Sequence, residues 1–538
     1  MPAPAGSPEP AQQQQDEQQA TDCNGSSTEL ECGDQGCGGG SDPLPAAAAV
    51  PPPGTVCIKC RKAEAEVIAR GREPLCHPCL HEQLLSKVRN AVRVHSLILP
   101  GDRLALAYSG GPASAALLHF LAQLRNPRTD RPARGKVSFT LHIIHIDESA
   151  ALGQSPEQQA ASTASVAAAA AQYCEGSEGG VTYHCLPLET VFDEGSAAAT
   201  ADGSSTAAGS GSSSLFSAAP RPEQRQRLQS LLASVSDPTG RQDLSRHLRT
   251  RLLLRAAAEL GCARLARGDC ATALAAHIVA AASKGCGYSL AGDVRLVDAR
   301  HGSRLPPVFL PLREVSAREL GVVCARWRLP LADPSALGRA VGPAAAVDKK
   351  NINALAAAFV AGMEAHNPGS VPNILNTISK LEAFPWNDPP APAGSQPAGR
   401  AGQQQQHANG SQQEDEQQER QQMAAVLCPV CWAPLADDEL PGGSSGSAGA
   451  DASSGHTSGG SGTVVAAAAA GCCLSCFQQI MGGVAGSAGP SSSVAAALPE
   501  DVQQQMAGLA AAGPRAAMAG GPCGTEQLRQ QIAEFLLE

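Results

Sequence analysis

At 538 residues the chain has length for three or four domains, but 55 glycines, 40 prolines and an aromatic content of 3% leave long stretches unable to build a core. What remains supports one α/β domain with one or two small satellites. A formal net charge of −10 excludes general coating of nucleic acid, though not local basic patches.

The start, "MPAPAGSPEP", has no apolar core behind a basic end, and the longest apolar run, near 464–474, is short of the ~18 residues a membrane span needs. No membrane partner is expected. The nineteen cysteines then read as cytosolic thiols, better suited to metal sites than to disulfides.

Residues 1–53 are low-complexity Ala/Pro/Gln/Gly sequence, expected to be a disordered tail, and Cys23, Cys32 and Cys37 within it receive no role. Residues 54–82 form an N-terminal zinc-ribbon-like module: Cys57-x-x-Cys60, fifteen residues, then Cys76-x-x-Cys79. Two such knuckles put four thiolates around one tetrahedral ion, a closed structural site with no open position for water. A redox dithiol would instead need one knuckle beside a βαβ unit.

From 83 to 383 an α/β domain is expected. An amphipathic helix with Leu84, Leu85, Val88 and Val92 on one side stops at "LPGD" (99–102). Strands are expected at 103–109, 138–147, 181–188, 263–269 and 306–312, with helices at 113–124, 243–260 and about 271–283, and another from "REVSARELGVVCARW". Strands alternating with helices at this spacing predict a parallel sheet. Ala/Ser/Gly blocks near 150–172 and 194–219 read as disordered surface insertions. Residues 351–381 read as an amphipathic helix ending at Asn367-Pro368, with an apolar stripe of Leu355, Phe359 and Met363.

Beyond this lie a linker (384–424), a C-terminal CxxC module (425–480) with a low-complexity insertion, and a low-complexity tail (481–538) with a short terminal helix. In the C-terminal module Cys428-x-x-Cys431 and Cys473-x-x-Cys476 repeat the paired-knuckle pattern across forty-one residues, with Cys472 able to replace Cys473. The long gap adds little closure entropy, which grows with the logarithm of length.

Two features point to phosphate. "SGG" (109–111) follows the first strand of the βαβ pattern, where backbone N–H groups and a helix N-terminus face an anion, and Ser109 and Ser114 add hydroxyl donors. Residues 221–255 carry eight arginines against three acids, and 125–136 add four arginines and Lys136 against Asp130. Of these, Arg241, Arg246, Arg249, Arg251 and Arg255 are the candidates for holding a phosphate-rich partner.

"SGGPAS" resembles the SGGxDS pyrophosphate loop of adenylating ATP pyrophosphatases, the PP-loop family. "HIDES" (145–149), "GDCATALAAHI" (268–278) and "PLRE" (311–314) resemble successive segments of its tRNA-thiolating branch, which also carries a CxxC…CxxC ribbon ahead of the loop. The likeness covers about 55–370, the C-terminal cysteine module and the closing "IAEFLLE".

The departures are systematic. Ala113 replaces the loop acid, Thr272 and Ala273 replace an acid pair, and no cysteine lies between Cys185 and Cys262, where thiolating members carry a CxxC. Gly110, Gly111, Ser109, Ser114, Asp147 and Asp269 remain as a nucleotide-loop remnant. The combination resembles the cytosolic thiouridylase subunit 2 family, a degenerate PP-loop branch.

That resemblance implies a cytoplasmic, non-catalytic subunit without catalytic residues of its own. It implies pairing with a catalytic thiouridylase to place sulfur on C2 of the wobble uridine (position 34) of tRNA, the sulfur arriving on a thiocarboxylated ubiquitin-like carrier. It also implies structural Zn²⁺ and casts doubt on ATP/Mg²⁺ binding. Two other readings stay open. One is an ATP-dependent tRNA sulfurtransferase acting alone, with Asp147 and Asp269 holding Mg²⁺ and Cys270 or Cys286 carrying sulfur. The other is a zinc-ribbon scaffold that binds RNA or protein.

Overall fold

A computed structural model of the chain describes residues 51–70, 72–126, 135–175, 180–193, 215–216, 221–302, 304–337, 347–381, 427–435, 467, 469–482 and 492–511. The expected tail at 1–53 (from residue 51 apart), most of the 194–219 insertion, the linker at 384–424 and the terminal helix lie outside those residues.

The N-terminal module opens on a hairpin of β1 (Val67–Ala69) and β2 (Glu73–Leu75). Helix α1 (His77–Val94) follows at once, with Cys76 as its N-cap and a proline in its first turn, where a missing N–H costs nothing. The second cysteine knuckle is therefore the first turn of α1, so module and domain share one helix and the expected boundary at 82 falls inside it. The buried face of α1 (Leu80, Leu84, Leu85, Val88, Val92) is the predicted stripe.

The main sheet has strand order β5-β4-β3-β6-β8-β7. Its centre is β3 (Arg103–Ala107), followed by α2 (Pro112–Leu124), β4 (Thr140–Asp147), α3 (Pro156–Glu175) and β5 (Val181–Pro187) on one side. The chain then returns through α4 (Pro222–Ser234) and α5 (Pro238–Glu259) to β6 (Arg264–Ala266) on the other side of β3. These neighbouring strands pair in parallel, as expected. Next come α6 (Ala271–Ser283), the four-residue α7 (Leu290–Asp293), β7 (Val297–Asp298) and β8 (Val308–Phe309). β7 is antiparallel to β8, an edge strand absent from the sequence reading. It is two residues long, too short for a periodic signal.

Side-chain alternation splits the core between the two sheet faces. Leu104, Leu106, Leu141 and Ile143 pack with α1, α2 and α8 (Ala317–Arg326), while Ala105, Ile144 and Ile146 pack with α5 and α6. Because the chain leaves β3 in one direction and returns on the other side, the carboxyl ends of β3 and β6 diverge into a crevice.

Three expectations need correction. The block at 150–172 is largely helical, since α3 buries Ser162, Val166, Ala169 and Ala170; an Ala/Ser composition that reads as low complexity also packs closely against a sheet. The tail after 481 contains helices Ser492–Ala497 and Glu500–Ala511, which bury Val494, Val502 and Met506, with Leu498 buried between them. Helix α9 (Ile352–His366) buries Ala356 and Val360; of the predicted stripe Met363 is partly buried against the core, whereas Leu355 and Phe359 are 42% and 58% exposed. Its neighbour α6 is rich in alanine, so alanine facing alanine brings the helices close and turns the larger side chains outward. A further short helix, α10 (Ser370–Ile378), follows Asn367-Pro368.

Helices α5, α6 and α9 are also tied by a buried charge. Asp243 accepts from Lys284 at 2.6 Å, Asn353 at 3.0 Å and Arg246 at 3.1 Å. Burial pushes its pKa up, but Arg246, Lys284 and His247 outweigh it and hold Asp243 below its ordinary value. A carboxyl that takes up a proton more readily when unfolded stabilises the fold above about pH 4 and loses that contribution as pH falls. Asp243→Asn should lower stability at pH 7 by about 3 kcal/mol, because Lys284 stays buried without its counter-charge. Urea midpoints measured from pH 3 to 7 should also show a flatter acid limb than wild type.

Candidate functional site

A cavity of about 430 Å³ opens in the crevice, lined by the ends of β3, β4 and β6 and by Arg249 of α5. Ser109, Ala113 and Ser114, flanking the two glycines of the loop, line it. Gly110 has φ +71°, and a Cβ there would lie 2.5 Å from the Ala332 Cβ, so the position requires glycine on both counts. Ala332 N–H donates to the Gly110 carbonyl at 3.0 Å, which fastens the 329–337 segment onto the loop. Opposite, a Cβ on Gly268 would come within 3.1 Å of the Ser114 nitrogen. Ser114 is turned inward: its hydroxyl donates to the Gly111 carbonyl at 3.0 Å and lies 3.2 Å from Ser109 Oγ. The sequence-predicted loop residues are thus brought together, with Ser114 bonded within the loop.

Three carboxylates line this cavity, and all are paired. Asp147, 2% exposed, accepts from Ser149 N–H and Oγ–H at 3.0 and 2.5 Å and from Gln159 at 2.6 Å. Glu148 takes both oxygens to Arg249 at 2.9 Å. Asp269 meets Arg267 at 2.9 Å. Sequence reasoning passed over Glu148, inside the quoted "HIDES", and Arg267, immediately ahead of "GDCATALAAHI". A second cavity of about 270 Å³ shares Arg249, Thr250, Arg267 and Asp269 with the first and reaches Cys431 and Trp432.

Thr272 is a helix tie. Its hydroxyl donates to Glu364 of α9 at 3.0 Å and accepts from the Ala317 N–H at 3.1 Å. Cys270 does cap α6 as expected, but it is buried, and desolvation raises its thiol despite nearby backbone donors. Burial likewise pushes Cys286 up to about 11. Neither is set up as a thiolate nucleophile at neutral pH.

The arginine helix departs furthest from expectation. Arg251 donates to Asp501 and to the Pro429 carbonyl, both at 2.6 Å, and lies over the Trp432 ring at 4.7 Å. Arg241 caps the carbonyls of Leu232 and Val235, and Arg255 those of Val191 and Asp193. Arg246 is held by Asp243. Only Arg249 of the five faces the first cavity, with its guanidinium on Glu148. In the other basic stretch Arg125 is buried and donates to the Phe139 carbonyl; Arg128, Arg131 and Arg134 lie outside the described residues.

Both cysteine sets converge. In each, Cys57/Cys60/Cys76/Cys79 and Cys428/Cys431/Cys473/Cys476, the four sulfurs lie within 4.8 Å of one another. Cys60–Cys76 at 3.8 Å and Cys431–Cys473 at 3.6 Å match the ~3.8 Å edge of a tetrahedron with 2.3 Å metal–sulfur bonds. Cys473 is the ligand-side residue, its N–H donating to Cys428 Sγ at 3.4 Å, and Cys476 N–H donates to Cys473 Sγ at 3.4 Å. Burial opposes charge on Cys57, but backbone donors of Cys60, Cys76 and Lys59 bring it down to about 6, while burial and the neighbouring sulfurs push Cys79 up to about 12. Four crowded sulfurs cannot all ionise unaided, and a cation lets them. Each group can hold a metal.

These features define a mostly parallel α/β domain with a glycine loop at its switch point and two four-cysteine centres, one ahead of the sheet in the chain and one after it. No family model matches the chain. Curated proteins named cytoplasmic tRNA 2-thiolation protein 2 do: 29% identity over 339 residues in rice (Oryza sativa subsp. indica; 62% of this chain, 63% of that protein). In Arabidopsis thaliana identity is 30% over 347 residues (62% and 66%), and in Homo sapiens 27% over 371 (62% and 69%). The chain is a homologue of these proteins and, in the rice case, spans just under two thirds of the relative's length. Among solved structures it is similar to the U34-tRNA thiolase NcsA from Methanococcus maripaludis with its [4Fe-4S] cluster, at TM-score 0.42 and 14% identity over 61% of this chain and 89% of that one. A similarity this loose places no residue of one chain on a residue of the other.

Two outcomes are expected. Metal analysis of purified protein should read two equivalents per chain, falling by one in Cys60→Ser and by one in Cys431→Ser. Arg251→Met should lower stability by about 2 kcal/mol, because the buried Pro429 carbonyl loses its donor while Asp501, 32% exposed, keeps contact with water. Limited proteolysis of that variant should release the C-terminal module first.

Proposed function

We propose that this chain is a cytoplasmic, non-catalytic subunit of a tRNA 2-thiolation complex. It pairs with a catalytic thiouridylase that transfers sulfur to C2 of the wobble uridine. The observation that carries this is the closed pairing of Asp147, Glu148 and Asp269 around a loop whose acid position is Ala113. Mg²⁺ takes oxygen ligands, usually carboxylates together with substrate phosphates, and here each cavity carboxylate already has a partner. A triphosphate would meet the loop's backbone donors without the metal chemistry that activates it.

The homologues' name supports the tRNA thiolation setting, and the raised thiols of Cys270 and Cys286 weigh against sulfur transfer by this chain alone. In this reading the ion in each four-cysteine centre is Zn²⁺, in a structural role. Sulfurs within 4.8 Å suit a single tetrahedral ion better than an iron–sulfur cluster, whose irons spread their ligands further apart. The exposed Leu355 and Phe359, one turn apart on α9, offer the catalytic partner an apolar face, and a thiocarboxylated ubiquitin-like protein supplies the sulfur.

The purified chain should show no ATP–pyrophosphate exchange, while cells lacking it should lose wobble 2-thiouridine from tRNA, read by nucleoside mass spectrometry. Exchange activity in the isolated chain would favour an autonomous sulfurtransferase instead. Unchanged 2-thiouridine in the deletion strain would overturn the reading.

A further inference from the structure

With most of the arginines of α5 occupied inside the fold, a tRNA-binding subunit needs another cationic surface. The largest described cavity, about 700 Å³, lies between the last turns of α1 and the β6–β8–β7 edge of the sheet. It shares no lining residue with the other described cavities. Lys87, His95, Arg264, Arg295 and Arg313 line it, and Glu314 is the one acid among the described lining residues. Against a chain of net charge −10, that is a concentrated positive trench.

These cations are held differently from those of α5. Among the described residues, Lys87, Arg264 and Arg313 have no carboxylate within 4.0 Å. Lys87 donates to the Glu314 carbonyl at 2.9 Å and Arg313 to Ser379 Oγ at 3.2 Å. An ammonium has three donors and a guanidinium five, so most of their hydrogens remain available. Arg264 Nε is buried without a hydrogen-bond partner. A buried donor of this kind is a cost that an incoming anion oxygen removes.

The shape selects the anion. The cations come from three separate elements along a trench, and the helix that lines it presents its C-terminal turns. A pocket for one small phosphate uses a helix N-terminus and converging backbone N–H groups, which this lining lacks. Cations spaced along a groove match the repeating charge of a phosphodiester backbone.

We propose that this groove, and not the arginine helix, grips the phosphate backbone of tRNA. The inference rests on the tRNA reading above and names the surface that carries it. RNA held there leaves the glycine-loop cavity clear and is positioned without being read base by base.

The test is binding of transcribed tRNA to the full chain by fluorescence anisotropy across a salt series. Lys87→Gln/Arg313→Gln should weaken binding about tenfold near 0.1 M salt and reduce the slope of log K against log salt by roughly one to two. Lys349→Gln/Lys350→Gln removes the same charge from an exposed site elsewhere and should change affinity less than about twofold on the same reasoning. Lys87→Arg/Arg313→Lys, which keeps both charges, should retain binding, and thermal melts should report both pairs folded.

Equal weakening by the Lys349/Lys350 pair would reduce the effect to net charge and overturn the groove assignment. So would loss of oligoglutamate binding, but not tRNA binding, in the Lys87/Arg313 variant; that would make the groove a protein-docking site. The tRNA reading fails separately: wild-type chain that neither binds tRNA nor supports wobble thiolation ends both, whereas intact binding and thiolation in the groove variant ends only this proposal.

Discussion

Moving a guanidinium out of water costs several kcal/mol unless other groups replace its hydration. Arg251 meets that requirement with Asp501, the Pro429 carbonyl and the Trp432 ring, three groups contributed by segments far along the chain. The last cysteine centre and the helix Glu500–Ala511 are thereby fixed to α5, and so to the sheet. Arg241 and Arg255 act the same way at shorter range, drawing the end of α4 and the turn after β5 onto the same helix. A stretch of sequence that looks like a cationic surface is in large part internal bracing.

The same demand for pairing shaped the crevice. Asp147 braces the turn after β4 and reaches α3, Glu148 anchors Arg249, and Asp269 neutralises Arg267. Thr272 joins α6 to α9 and α8. The polar groups that line the crevice thus hold its walls together. The loop keeps its backbone shape because Gly110 is packed against Ala332 and Gly268 against α2, constraints that persist whether or not a nucleotide binds.

Much of this could be read beforehand where the signal is local. The β3–α2–β4 unit follows from a short apolar strand, a glycine turn, a small-residue helix and a second strand rich in β-branched residues. The cysteine sets follow from spacing, since a CxxC turn brings its own two sulfurs together. What could not be read depended on partners distant in sequence. Nothing in "RQDLSRHLRTRLLLR" states that Arg251 faces Trp432 while Arg249 faces a cavity. On α9 apolar periodicity picks out the large side chains Leu355, Phe359 and Met363, of which only Met363 packs against the core, whereas contact with the alanines of α6 selects Ala356 and Val360. The helix α3 was hidden by a composition shared with unstructured sequence, and β7 by its brevity.

Helix α1 carries a cysteine knuckle in its first turn and lines the basic trench with its last turns. At ~1.5 Å per residue its 18 residues make a rod roughly 27 Å long, clamped at one end by the four-sulfur centre. Its buried stripe packs it onto the core along its length, so the second cysteine knuckle and the trench residues Lys87 and His95 are ends of one continuous packed element. A metal held by the four sulfurs would thus sit on the same helix as the cations, with no loop between them.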